Sequence, residues 1–199
     1  MTMFDDILSL PEQLRWGTGL DPEPVRGNGP IVILGLGGSA MAAAVATLAA
    51  APRAPIVVHR GYSLPPWAVD SGAAVVAVSY SGHTEEVLSG VDAAISARLP
   101  LAAVASGGRL GEIARDRAVP YVEVPGGIQP RAAVGYQAAA VAATLAAAGQ
   151  IADADRDLRE TADVLDELLD GGRGGAVVLG RDIADGLAGR TAVIYGGKG

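Results

Sequence analysis

Five short apolar runs, spaced through residues 31–124 and mostly leading into glycine- or serine-rich turns, constrain this chain more than any other feature. They are IVIL at 31–34, IVV at 56–58, AVVAV at 74–78, LAAVA at 101–105 and YVEV at 121–124. Most carry valine or isoleucine without polar alternation, the pattern of strands covered on both faces. Helical stretches at 40–50, 84–97, 110–116 and 131–148 separate them, which predicts an α/β fold: a three-layer, doubly wound, five-stranded parallel sheet flanked by helices. Aromatic residues are only 4% of a chain that is 50% hydrophobic, so the core must be built from small side chains, with helices close to the sheet.

The flanks read differently. Residues 4–16 place Phe4, Ile7, Leu8 and Leu14 among polar residues, as in one short amphipathic helix. Residues 21–30 are turn-rich, and the domain proper begins at Pro30. Residues 153–170 repeat leucine at 158, 165, 168 and 169 amid charges, an exposed amphipathic connector, and Gly171 to Gly175 breaks the chain. The remainder holds two apolar runs of strand character and a short helix. The expected organisation is 1–150, a helix plus the α/β domain; 151–175, a connector helix and glycine-rich linker; and 176–199, the start of a truncated second domain.

Composition excludes several classes of function. The net charge is −7 with no lysine or arginine run, which argues against a nucleic-acid partner. There are no cysteines and only two histidines, His59 and His83, so no metal site is expected. With neither a basic-then-apolar leader nor an uninterrupted membrane-length span, a cytoplasmic protein without membrane contact is expected.

Chemistry concentrates in the turns. Gly35-Leu36-Gly37-Gly38-Ser39-Ala40 lies between a strand and a helix, where backbone N–H groups and the helix N-terminus suit an anion. Alone it also fits the dinucleotide pattern GxGxxA, with Arg60 placed to meet a 2′-phosphate, or simple tight packing. Ser79-Tyr80-Ser81-Gly82-His83-Thr84-Glu85-Glu86 adds three hydroxyls to a second tight loop, each able to donate to a different oxygen of one phosphate. A dinucleotide fold has no need of this second loop. Its structural alternative is an ordinary N-cap by Thr84 or Ser81, with Glu85 and Glu86 serving the helix dipole.

Taken in order, GLGGS, SYSGHTEE, ASGGRLGEIA and VPGGIQPRAAVGY resemble the sugar isomerase (SIS) domain of the bifunctional phosphoglucose/phosphomannose isomerases, specifically its N-terminal half. The resemblance runs from about Phe4 to the end and implies a flavodoxin-like SIS domain binding a hexose 6-phosphate. It implies that Ser39, Ser79, Ser81 and Thr84 hold the phosphate with Gly38 through its backbone, that Gly37 lies close by, and that Arg131 stabilises an enediolate. A guanidinium suits that role as a permanent charge with a planar fork of donors. The alternative for Arg131 is a residue that merely starts the helix after Pro130. His83 stands where many relatives have Asn, so it is either substrate-proximal or a loop histidine without a catalytic task.

The implied parent reaction interconverts glucose 6-phosphate or mannose 6-phosphate with fructose 6-phosphate. It needs a general base and a ring-opening acid; the resemblance places these, a Glu and a His, in a second SIS domain, so this chain alone is expected to bind without turnover. No metal or organic cofactor is implied. A homodimer is expected, either through the alanine-rich helix 132–148 or with that helix buried in the monomer. A sugar-phosphate sensor and an NADP-binding domain are the alternative functions.

Overall fold

The computed structural model describes residues 2–27, 29–48, 52–170 and 175–193. The chain divides into two units, 1–162 and 163–199. In chain order the elements are α1 (Met3–Leu8), α2 (Leu10–Trp16), β1 (Ile31–Leu34), α3 (Gly37–Leu48), β2 (Ile56–His59), α4 (Pro66–Asp70), β3 (Ala74–Val78), α5 (Glu85–Ser96), β4 (Leu101–Ala105), α6 (Gly108–Asp116), β5 (Tyr121–Glu123), α7 (Val134–Ala147), α8 (Ala154–Leu169) and α9 (Ala176–Leu187).

The five strands form one parallel sheet in the order β2-β1-β3-β4-β5, with Ile31 opposite both Ile56 and Ala74. This is the flavodoxin-like order. The chain leaves β1 toward β2 on one side and resumes at β3 on the other, so the turns after β1 and β3 part and open a crevice at the strand ends. Alternate strand residues serve two cores. Ile31, Ile33, Val76 and Val104 pack in one cluster with Ala43 of α3 and Val141 and Leu145 of α7. Val32, Leu34, Val75 and Ala77 join Val87 and Val91 of α5 and Leu110 of α6 in the other. Burial on both faces is why β1, β3 and β4 lack polar alternation, while the edge strands β2 and β5 are partly exposed.

Helix α7 buries Gly135 and every residue from Gln137 to Leu145, so its alanine-rich surface is used inside the monomer and not as a face for a second copy. Small residues set the approach of α2 as well: a Cβ on Gly17 would collide with the Ala139 Cβ of α7 and lie 3.2 Å from Leu158 Cδ1. Gly17 itself has ordinary helical dihedrals, so Gly17→Ala adds only volume. It is expected to destabilise the first unit by about 1–3 kcal/mol in urea unfolding, with an unchanged midpoint contradicting this packing.

Four expectations are corrected. The single helix at 4–16 is two, because Pro11 has no N–H to donate to the preceding turn; Thr2 caps α1 in a reciprocal box with Asp5, and Ser9 divides the helices. The domain does not begin at Pro30, since α2 packs on α7, with Trp16 edge-on to Tyr136 at 5.3 Å. The helix expected from 131 begins at Val134, because Ala132 and Ala133 first turn back to the Gln129 carbonyl. The strand expected at 176–179 is the start of α9: Leu179, Ile183 and Leu187 recur every fourth residue, a helical period that outweighs the β-branched pair Val177-Val178. Helix α4, opened by Pro65 and Pro66, was not anticipated. The end of the helix expected at 40–50, most of the glycine break at 171–175 and the closing run VIYG fall largely outside the described residues. No described helix is long and apolar enough to cross a membrane.

Candidate functional site

The turns after β1 and β3 border the crevice and touch through Ser39 and Tyr80. Ser39, in the first turn of α3, is buried; its hydroxyl donates to Gln137 Oε1 at 2.6 Å and accepts from the Tyr80 N–H at 3.4 Å. Ser39 is thereby fixed beside the Ser79 loop. Gly37 is exposed with φ 53°. Gly38 comes against the segment before α7: a Cβ there would lie 3.4 Å from the Pro130 carbonyl oxygen and 3.6 Å from Arg131 Cα. At the start of α3 the Ser39 and Ala40 N–H groups turn back to the Leu36 carbonyl, at 3.1 and 3.5 Å, which leaves those of Gly37 and Gly38 without an acceptor in the helix.

Thr84 separates the structural reading from the functional one. It occupies the N-cap position of α5 with extended dihedrals, yet its side chain makes no capping bond. The Thr84 hydroxyl instead lies 2.8 Å from that of Ser79, which is 1% exposed. The α5 N-terminus therefore keeps its donors open beside a pair of hydroxyls, an arrangement that an anion completes. Ser81 is exposed and accepts from the His83 N–H at 3.2 Å, and Gly82 donates to the Ser79 carbonyl at 3.0 Å.

Arg131 is exposed on the turn before α7 and has no hydrogen-bond or ion-pair partner among the described residues. Gly38 is its backbone neighbour, so the guanidinium lies within a side chain's length of the α3 N-terminus. The His83 Nε2 lies beside Gly108 at the start of α6. Glu85 and Glu86 sit in the first turn of α5, where Glu85 accepts from Tyr62 Oη at 3.4 Å. His59 Nε2 lies 3.3 Å from the Tyr62 carbonyl, a local loop contact, and Arg60 is exposed after β2.

Sequence reasoning missed the residues that hold these loops together. Tyr80 donates its hydroxyl to the Pro125 carbonyl at 3.2 Å and accepts from the Ile128 N–H at 3.4 Å, tying the β3 turn to the segment after β5. Burial pushes its phenol above the ordinary value, which keeps it a neutral donor. Ser106 Oγ donates to the Tyr80 carbonyl at 2.6 Å. Gln13 and Gln137 are fully buried amides. The signal for Gln137 was a lone amide in the alanine-rich run VGYQAAAV, where a polar residue on a buried helix must have a partner.

No family model matches the chain. It is 34% identical over 173 residues to the bifunctional phosphoglucose/phosphomannose isomerase of Caldicellulosiruptor bescii, covering 83% of this chain and 51% of that protein. With the Aquifex aeolicus protein of the same name it is 32% identical over 188 residues, covering 92% and 54%. The chain thus spans about half the length of the curated relatives it matches. A Salmonella typhimurium LT2 protein described as sugar-binding superposes with TM-score 0.60 at 22% identity, over 83% of this chain and 57% of that one, a likeness of fold.

Proposed function

We propose, from the premise that the chain belongs to the sugar isomerase (SIS) family of the bifunctional phosphoglucose/phosphomannose isomerases, that it holds the phosphate of a hexose 6-phosphate during aldose–ketose isomerisation. The observation that carries this reading is the uncapped α5 N-terminus, with the Ser79 and Thr84 hydroxyls 2.8 Å apart beside the open end of α3. The phosphate sits against the two helix N-termini. Ser79, Ser81 and Thr84 donate to its oxygens, Ser39 and the backbone of Gly37 and Gly38 close the opposite side, and the sugar extends toward Arg131.

The reaction moves a proton between C2 and C1 through a cis-enediolate, whose oxygen becomes negative as the proton leaves. Arg131 is the cation available to that oxygen, permanently charged and with its donors unengaged. This reading gives the chain phosphate binding and enediolate stabilisation and leaves the proton transfers to groups other than those gathered here. The homodimer expected from the resemblance must use a surface other than α7, and action in the cytoplasm is part of the same proposal.

Calorimetric titration with fructose 6-phosphate tests the reading. Arg131→Ala is expected to weaken binding about tenfold, and Arg131→Lys to recover only part of that, because the ammonium lacks the planar fork. An affinity that neither substitution changes would remove Arg131 from the site.

A further inference from the structure

The exposed, unpartnered Arg131 stands on a turn whose backbone is gripped by two buried amides from different helices. Gln13 of α2 donates to the Ala132 carbonyl at 2.9 Å and accepts from the Gly135 N–H at 3.1 Å. Gln137 of α7 donates to the Pro130 carbonyl at 3.4 Å and the Ala133 carbonyl at 3.3 Å. The carbonyls on both sides of Arg131 are therefore fixed while its side chain is left free. Gln137 reaches further: its Oε1 accepts the Ser39 hydroxyl at 2.6 Å, so one amide spans the anion loop and the arginine turn.

Simple satisfaction of helix ends accounts for part of this, since the Gly135 N–H belongs to the first turn of α7 and lacks an intrahelical acceptor. It does not account for Gln137 joining Ser39 to the Pro130 carbonyl across two different loops, nor for both amides converging on the residues that flank one free cation. A guanidinium held by a turn fixed in advance loses less entropy on meeting its ligand than one on a mobile loop.

We propose that Gln13 and Gln137 are positioning residues that hold the Arg131 turn in register with the Ser39 loop, so that the guanidinium is preset at the far end of a bound sugar phosphate. The assignment rests on the hexose-phosphate reading above and deepens it. Gln13 also donates to the Asp6 carbonyl at 3.3 Å and the Ser9 hydroxyl at 3.1 Å, contacts within the N-terminal helices, so its bonds to the arginine turn are the ones that bear on binding; Gln137 acts through that turn and through Ser39.

A double-mutant cycle on the full chain, read as fructose 6-phosphate affinity by calorimetry, tests it. Gln13→Met keeps the length and packing of the side chain while removing its hydrogen bonds. It is expected to weaken binding about fivefold in the parent and by less than about twofold in Arg131→Ala, because the residue through which it acts is gone. Gln137→Met is expected to weaken binding more in the parent and to keep a part of its effect in the Arg131→Ala background through Ser39. Equal losses from Gln13→Met in both backgrounds would overturn the assignment and leave the phosphate site standing. Absence of fructose 6-phosphate binding by the parent itself would overturn the hexose-phosphate reading, and this inference with it. If Gln137→Met does not fold, Gln13→Met decides alone; failure of both to fold would also overturn the assignment, because the amides would then serve stability.

Discussion

Gly82→Ala is expected to destabilise the first unit by about 3–5 kcal/mol, a fall of roughly 10 °C or more in Tm. Two costs combine. Gly82 has φ 69°, the left-handed region in which a Cβ costs about 1–2 kcal/mol. The space is also occupied: the new Cβ would collide with the Gly107 carbonyl oxygen and lie 2.9 Å from its carbon, in a loop that cannot retreat because the Gly82 carbonyl accepts from the Leu110 N–H at 2.9 Å. Gly19→Ala separates the two, since Gly19 has φ 80° but nothing within 4 Å of a Cβ; its cost should stay near 1–2 kcal/mol. Thermal unfolding followed by circular dichroism compares them directly. Equal losses from the two substitutions would mean that the β3 turn is not wedged against the start of α6.

The same wedge shows why the sheet and its turns were legible in the sequence. A strand buried on both faces must be apolar throughout, and the turns at its end must bring backbone close to backbone or ligand, which only glycine and small residues allow. IVIL followed by GLGGS, and AVVAV followed by SYSGHT, therefore announce both the strand and the close turn at its end. Where one local signal had two structural solutions, the reading failed. Val177 and Val178 favour a strand by β-branching, but the spacing of Leu179, Ile183 and Leu187 belongs to α9. Pro130 announces a helix, yet the helix waits until Val134, which leaves Arg131 on a turn and frees it from the unfavourable charge at a helix N-terminus.

What could not be read was contact across the fold. Gln13 and Gln137 are 124 positions apart in a chain where either could be a solvated polar residue, and no periodicity shows that both end on carbonyls flanking Arg131. Tyr80 sits within a loop whose serines drew the attention, while its phenol does the tying to Pro125 and Ile128. His83 is read as a possible sugar contact from its place in the loop, and its neighbour Gly108 of α6 is a contact that the sequence does not show.

Ser79→Ala combined with Ser81→Ala is expected to lower fructose 6-phosphate affinity by at least about a hundredfold, since a hydrogen bond to a charged group contributes about 1.5–3 kcal/mol and two are removed. Ser79 is the more consequential of the pair. It is 1% exposed and its hydroxyl lies 2.8 Å from that of Thr84, so removing it also frees Thr84 to turn back and cap α5, closing donors that the phosphate would use. Stability should move little or rise slightly through that new cap, which makes a loss of affinity with an unchanged Tm the signature of a ligand loop. The competing dinucleotide reading of GLGGSA makes the opposite forecast, because a pyrophosphate on the α3 N-terminus needs neither serine. NADPH bound tightly by both the parent and the double variant, without competition from fructose 6-phosphate, would replace the sugar-phosphate reading. A hundredfold loss for the sugar phosphate, with no NADPH binding in either protein, would place the anion between the two helix N-termini.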